Sequence, residues 1–243
     1  MAQRQNERSF AVAKLGSVAI LNIRRLVLSD REVAWTPITS HLFAVQSFPE
    51  AASNIRLQAA DVLDHMILSV PKLINNMDET LQSRVQTQII EVLRRQAAPD
   101  LATQTSTDLE VRKLGFETLF KILENNGHSF IAGWKLILDV LRTACKASAN
   151  EAHSDPGATP KPHLNYDSGT KGKGTSKSGN KPSKLSILVR NSFPSLQLIC
   201  TDFLTALTLE ELRQCISVLA EFAQQTDDIN IALTSGGLLW QVS

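Results

Sequence analysis

The chain has 243 residues, a formal charge of +1 and only 5% aromatic residues against 43% hydrophobic ones. Near-balanced charge gives no global field to draw nucleic acid. A core rich in Leu, Ile, Val and Ala but poor in aromatics favours helix-on-helix packing over an aromatic-rich β-sandwich. The three cysteines, Cys145, Cys200 and Cys215, lie far apart in apolar helical patterns, with no CxxC and no Cys/His pair at ligand spacing. They read as buried thiols of a reducing compartment, and no metal or cofactor site is expected.

In chain order, the apolar run from Phe10 is interrupted by Lys14 and lacks a cleavage signature, so it is not a signal peptide. No run of about 18 uncharged apolar residues occurs, and any membrane role is expected to be peripheral. Helical periodicity predicts helices over 9–28, 38–48, 54–70, 81–96, 108–125 and 134–147. Later ones follow over 186–207, kinked or restarted at Pro194, over 209–224 and from 228 onward. Thr107 with Glu110, and Thr208 with Glu211, have capping-box spacing, and Gly127 reads as a C′ glycine. No strand-like alternation appears, so the fold class is all-α.

Residues 150–184 differ from the rest. Apolar residues nearly vanish there, and Gly, Ser, Thr, Pro and Lys take over, a composition that cannot offset the cost of ordering the backbone. This segment is expected to be disordered. Lys161, Lys171, Lys173, Lys177, Lys181 and Lys184 face only Asp167 between Pro156 and Lys184, a local charge of +5. It reads first as a solvated loop and second as a contact for anionic lipid, where each lysine contributes about 1 kcal/mol, screened by salt. Nucleic acid fits less well, because Tyr166 is the only aromatic residue available for stacking.

Set in register, the helices from Asn54, Glu110 and Asn230 repeat one pattern. Ile55, Val111 and Ile231 align, then Ala59, Gly115 and Ser235, then Val62, Thr118 and Leu238. Leu63, Leu119 and Leu239 follow, and Met66, Ile122 and Val242 close the series. The offsets i, i+4, i+7, i+8 and i+11 trace one helix face with a small residue second. On this pattern the Gly236–Gly237 pair is expected at a close helix contact, despite about 1 kcal/mol of lost helix propensity for each glycine. A second class of helix begins with Trp35 or Trp134 and places Ile38, Leu42 and Ile137, Leu141 behind it; both tryptophans read as packing anchors. From Trp35 to Ile55 is 20 residues, and from Trp134 to Ile187 it is 53. The excess nearly equals the length of the 150–184 segment, so that segment is expected to be an insertion in a hairpin loop.

The reading is a HEAT/armadillo-like solenoid with an N-terminal helix and about four antiparallel helical hairpins. It comprises residues 1–149, the insertion at 150–184, and a continuation over 185–243. The last hairpin lacks the polar outer face of a terminal cap, so the pattern is expected to continue in a longer array. His41, His65, His128, His153 and His163 fall on separate elements, and Glu210-Glu211 and Asp227-Asp228 mark helix starts, where the dipole accounts for them. No HExxH, GxSxG, P-loop or GxGxxG occurs, so no enzyme activity is expected. Arg24-Arg25 and Arg94-Arg95 read as solvated helix faces, with a basic ridge for lipid or an acidic partner as the functional alternative. Arg56 and Arg112 recur at one repeat position and are expected to pair with acidic neighbours.

The runs "DLEVRKLGFETLFKILENNGHSFIAGWKLILDVL", "LVRNSFPSLQLICTDFL" and "DDINIALTSGGLLWQVS" resemble the large Arf guanine-nucleotide exchange factors downstream of their catalytic domain. They are most similar to the Mon-two (monensin-sensitivity) branch, which lacks the exchange domain; "WTPITSHLF" also fits that branch. The resemblance implies a non-enzymatic scaffold in vesicle traffic, peripheral on the cytoplasmic face of the trans-Golgi network and endosomes. It implies as partners a Dopey-type scaffold, an aminophospholipid flippase or an Arf-family GTPase. The alternative it leaves is the regulatory region of a large exchange factor that binds activated Arf.

Deleting residues 150–184 is expected to change stability by no more than about 1 kcal/mol in a thermal melt, because loop closure depends only weakly on loop length. A collapsed transition would mean that the segment packs.

Overall fold

The same small set of helix pairs accounts for nearly every buried side chain. The computed structural model describes residues 2–28, 34–99, 105–152 and 186–242. Its helices are α1 (Ala2–Leu21), α2 (Ile23–Leu28), α3 (Trp35–Ser47), α4 (Ser53–Ser69) and the single turn α5 (Pro71–Ile74). Then come α6 (Glu79–Ala97), α7 (Ser106–Asn126), α8 (Trp134–Ala152), α9 (Ser186–Leu198), α10 (Leu209–Gln224) and α11 (Ile229–Val242). Among the described residues there is no strand.

Four hairpins, α3–α4, α6–α7, α8–α9 and α10–α11, follow the N-terminal helix, as expected. Their second helices stack in one layer in the order α1, α4, α7, α9, α11, and their first helices in the other as α3, α6, α8, α10. The all-α solenoid is thus a two-layer stack, with its core between and within the layers.

The repeat pattern is the buried seam of the second-helix layer. Ile55, Ala59, Val62, Leu63 and Met66 of α4 are all buried, as are Val111, Gly115, Thr118, Leu119 and Ile122 of α7. Two further helices carry the pattern unannounced. Across α1 into α2 it runs Val12, Gly16 and Ala19 to Ile23; from α9 into the turn after it, it runs Leu188, Ser192, Ser195, Leu196 and Ile199, all buried. The α9 register therefore starts at Leu188, one residue beyond the Ile187 that loop arithmetic suggested. A small residue occupies the second position in all five helices: Gly16, Ala59, Gly115, Ser192 and Ser235. Glycine is required at two of them by neighbours. A Cβ on Gly16 would lie 2.8 Å from the Val62 methyls, and one on Gly115 would lie 3.1 Å from the Ala97 backbone nitrogen.

Several boundaries differ from the sequence expectation. Asn22 interrupts the first helix, and its side chain donates to the Val18 carbonyl at 2.8 Å. The α7 capping box is Thr105 with Asp108, two residues earlier than Thr107 with Glu110; Thr107 lies inside the helix and donates to Ser53 Oγ at 2.9 Å. The Thr208–Glu211 box is present on α10. Gly127 keeps right-handed helical backbone and leads into a 3-10 turn; its lack of a side chain makes room for the Phe203 ring, 2.2 Å from where a Cβ would lie. The α9 helix runs through Pro194 because Phe193 and Leu196 are buried on both sides of it, and the irregularity falls later, in a π turn at Ile199–Phe203. That turn delivers Phe203 to Trp134 (5.6 Å) and His128 (5.0 Å). Gly236 and Gly237 meet no atom within 4 Å of a built Cβ, so close packing does not explain them; Ser235, fully buried, is the contact position instead.

Buried polar groups set the remaining geometry. Gln82 and Gln86 of α6 donate to the Ser129 carbonyl at 2.8 and 2.7 Å, and Gln86 Oε1 accepts from the Ile131 and Ala132 amides. This fixes the loop that enters α8, where Gly133 has φ +90°. Trp35 and Trp134 are buried at the starts of α3 and α8, the anchors that sequence suggested. Asp64 of α4 sits where α4, α6 and α7 meet, accepting from Gln96 Nε2 at 3.0 Å and hydrogen-bonded to Thr118. Burial raises its pKa from 3.8 to about 8.

The folded protein therefore holds one more proton on Asp64 than the unfolded chain between about pH 4 and pH 8, and stability falls as pH rises through that window. Asp64→Asn is expected to flatten this slope, measured as the urea midpoint against pH; an unchanged slope would contradict the assignment.

Candidate interaction surfaces

The second helix of each hairpin begins at a polar junction. Arg56, on the first turn of α4, donates from Nε to the Gln46 carbonyl near the end of α3 at 2.6 Å, and from Nη2 to Asp108 at the start of α7. Arg112, at the equivalent position of α7, donates from Nε to the Ala97 carbonyl that ends α6, at 2.9 Å. Burial lowers its pKa. Both arginines thus cap the C-terminus of the first helix of their own hairpin. Arg56 has the expected acidic partner in Asp108, and both arginines have a structural role. The device recurs one residue out of register on α9, where Arg190 Nε donates to Asp228 Oδ2 at 2.9 Å, while Asp228 Oδ1 caps α11 through the Asn230 amide.

The four arginines proposed as a ridge do not form an array of free cations. Arg24 and Arg25 are exposed on α2. Arg94 is forked onto Glu91 at 2.8 to 3.0 Å, and Arg95 lies 4.3 Å above the Phe43 ring. Lys161, Lys171, Lys173, Lys177, Lys181 and Lys184 lie outside the described residues, as do His153, His163 and most of the 150–184 segment; Asn150 to Ala152 instead extend α8. The helices on either side of that segment, α8 and α9, pack against each other. His41, His65 and His128 are exposed on separate elements, and no metal-competent cluster of His, Cys, Asp or Glu occurs among the described residues. None of the described helices is long and apolar enough to cross a membrane.

The three cysteines are buried and free. Sequence spacing gave no sign that Cys200, in the π turn, and Cys215, on α10, would approach to 3.8 Å. Their hydrogen bond lowers the Cys215 pKa and, with burial, raises that of Cys200; burial pushes Cys145 up to about 12.

Comparison with known proteins covers the whole of this architecture. The chain is 26% identical over 247 residues to the Protein MON2 homolog of Schizosaccharomyces pombe, an alignment spanning 100% of this chain and 14% of that one. It is 28% identical to the Xenopus laevis homolog and 29% identical to the Homo sapiens homolog, each over 234 residues, 96% of this chain and 11% of theirs. Over its whole length the chain is thus similar to one segment of Mon-two family proteins. No family model matches it, and no solved structure does. It spans between 11% and 14% of the length of these curated relatives.

Two apolar surfaces are exposed on this chain. The outer face of α11 presents Ile229, Leu233 and Trp240, exposed by 71, 70 and 88%, with Gly236 and Gly237 between them. Ile229, Leu233, Gly236, Gly237 and Trp240 stand at i, i+4, i+7, i+8 and i+11, the offsets of one helix face, with the small residues third and fourth rather than second as in the buried seams. At the other end, a groove of about 430 Å³ lies between α1, α3 and the start of α4, lined by Val12, His41, Ala44, Val45, Phe48 and Ile55.

Proposed function

We propose that this Mon-two segment is a non-enzymatic scaffold in vesicle traffic between Golgi and endosomes, binding partner proteins while peripheral to the membrane. The observation that carries the reading is the outer face of α11. Large apolar side chains exposed to this degree, on one stripe, mark an interaction surface rather than a solvated one. The stripe lies on one helix face at the offsets by which the solenoid's own helices pack, so it suits an amphipathic helix with a matching apolar face, from a partner or from a following repeat of the array. Gly236 and Gly237 leave room for that helix to approach closely. A Dopey-type scaffold, an aminophospholipid flippase and an Arf-family GTPase are the partner classes that family resemblance suggests.

The test is a pull-down with the immobilised chain against each purified partner class, the GTPase being loaded with GDP or a GTP analogue. Trp240→Asp and Leu233→Asp change solvent-facing side chains and are expected to leave the melting transition in place. Retention of one class, abolished by either substitution, is the expected result. Failure to retain any class, or retention that both variants preserve, would contradict the assignment of α11.

A further inference from the structure

Among the described arginines, Arg84 combines buried, unpartnered guanidinium nitrogens with a groove. It lies on α6, and its Nε and Nη2 are buried with no hydrogen-bond partner; both amide atoms of Gln88, one turn on, are in the same condition. The two side chains open into a groove of about 490 Å³ between α3 and α6, walled by Trp35 and Val92. Arg84, Gln88, Glu91 and Arg95 stand at i, i+4, i+7 and i+11, so the groove follows one face of α6 for roughly 16 Å. Glu91, the only carboxylate in its lining, is engaged by the Arg94 fork. Arg84 and Arg95 therefore contribute two cations that the lining does not offset. A desolvated guanidinium without an acceptor is unfavourable, and an oxyanion is the acceptor its planar fork fits best.

We propose that the α3–α6 groove binds a phosphate monoester, with Arg84 forked onto its oxygens, the Gln88 amide donating beside it and Arg95 supplying the second charge. A monoester dianion matches two cations in charge and offers three terminal oxygens to the converging donors, where a single carboxylate offers two. The source of the ester is either a soluble phosphorylated metabolite or a lipid head group, and both present the same chemistry to Arg84. This site is independent of the α11 face, which lies on the other layer and at the far end of the stack.

The test compares vesicles of phosphatidylcholine containing phosphatidic acid with vesicles containing phosphatidylserine at equal negative charge, alongside calorimetric titration with glycerol 3-phosphate. Any contribution from the lysine-rich segment is common to both vesicle types and drops out of the comparison. A lipid source gives about tenfold tighter binding to phosphatidic acid than to phosphatidylserine, lost in Arg84→Gln. A soluble source gives glycerol 3-phosphate binding that Arg84→Gln weakens by a similar factor, with no vesicle preference. Either supports the site. Arg95→Gln is the second variant, expected to weaken the same binding should Arg84→Gln fail to fold. Absence of both forms of binding, or binding unmoved by the folded variants, overturns the proposal; so does capture of acidic peptide in preference to phosphate.

Discussion

The guanidinium of Arg56 touches three helices at once, and the stacking of the solenoid follows from what it joins. Through Nε it closes the C-terminus of α3, and through Nη2 it reaches Asp108 at the N-terminus of α7. Asp108 in turn accepts from the Thr105 amide at 2.7 Å, completing the capping box of α7. One buried side chain thus fixes the hairpin it belongs to and the angle at which the next hairpin arrives. Thr107 to Ser53 adds a neutral bond across the same junction. Hairpins that bury only one seam each have little else to set their mutual rotation, because apolar contact alone is non-directional. Arg112 repeats the hairpin closure, and the Arg190–Asp228 pair repeats the link between successive second helices.

Small residues complete the geometry. Gly115 and Arg112 meet the same residue, Ala97, so close backbone approach and carbonyl capping occur at one point. On α11 a second stripe at helix-face offsets faces outward, with Ile229, Leu233 and Trp240 flanking Gly236 and Gly237.

The sequence made the repeat visible because its spacing is read by the same physics that packs it: large, small, large, large on one helical face. The fourth copy on α9 escaped because Ser192 and Ser195 occupy seam positions that an apolar count skips, and because Pro194 suggested a break there. Gly236–Gly237 misled for the opposite reason: glycine on a helix suggests close approach, but these two point outward and Ser235 makes the contact. The capping box of α7 was misplaced by one choice of hydroxyl, since Thr105 and Thr107 both have an acid three residues on. The Arg84 groove and the Cys200–Cys215 approach were illegible. An arginine on an amphipathic helix reads as a solvated residue until a second helix covers it, and two thiols on different elements have no sequence signature. Arg94 and Arg95, adjacent in sequence, engage different groups, because neighbours on a helix point about 100° apart.

Buried arginines, by capping the first helix of the first two hairpins, hold the solenoid's stacking together. The most direct measurement is the equilibrium stability of Arg112→Met and Arg112→Lys in urea. Methionine fills much of the volume but leaves the Ala97 carbonyl without its donor, and a lysine cannot reproduce the planar fork. Both variants are expected to lose about 1–3 kcal/mol, with the loss of amide protection concentrated at the end of α6 and the start of α7. Wild-type stability in both, with undisturbed protection at that junction, would contradict it.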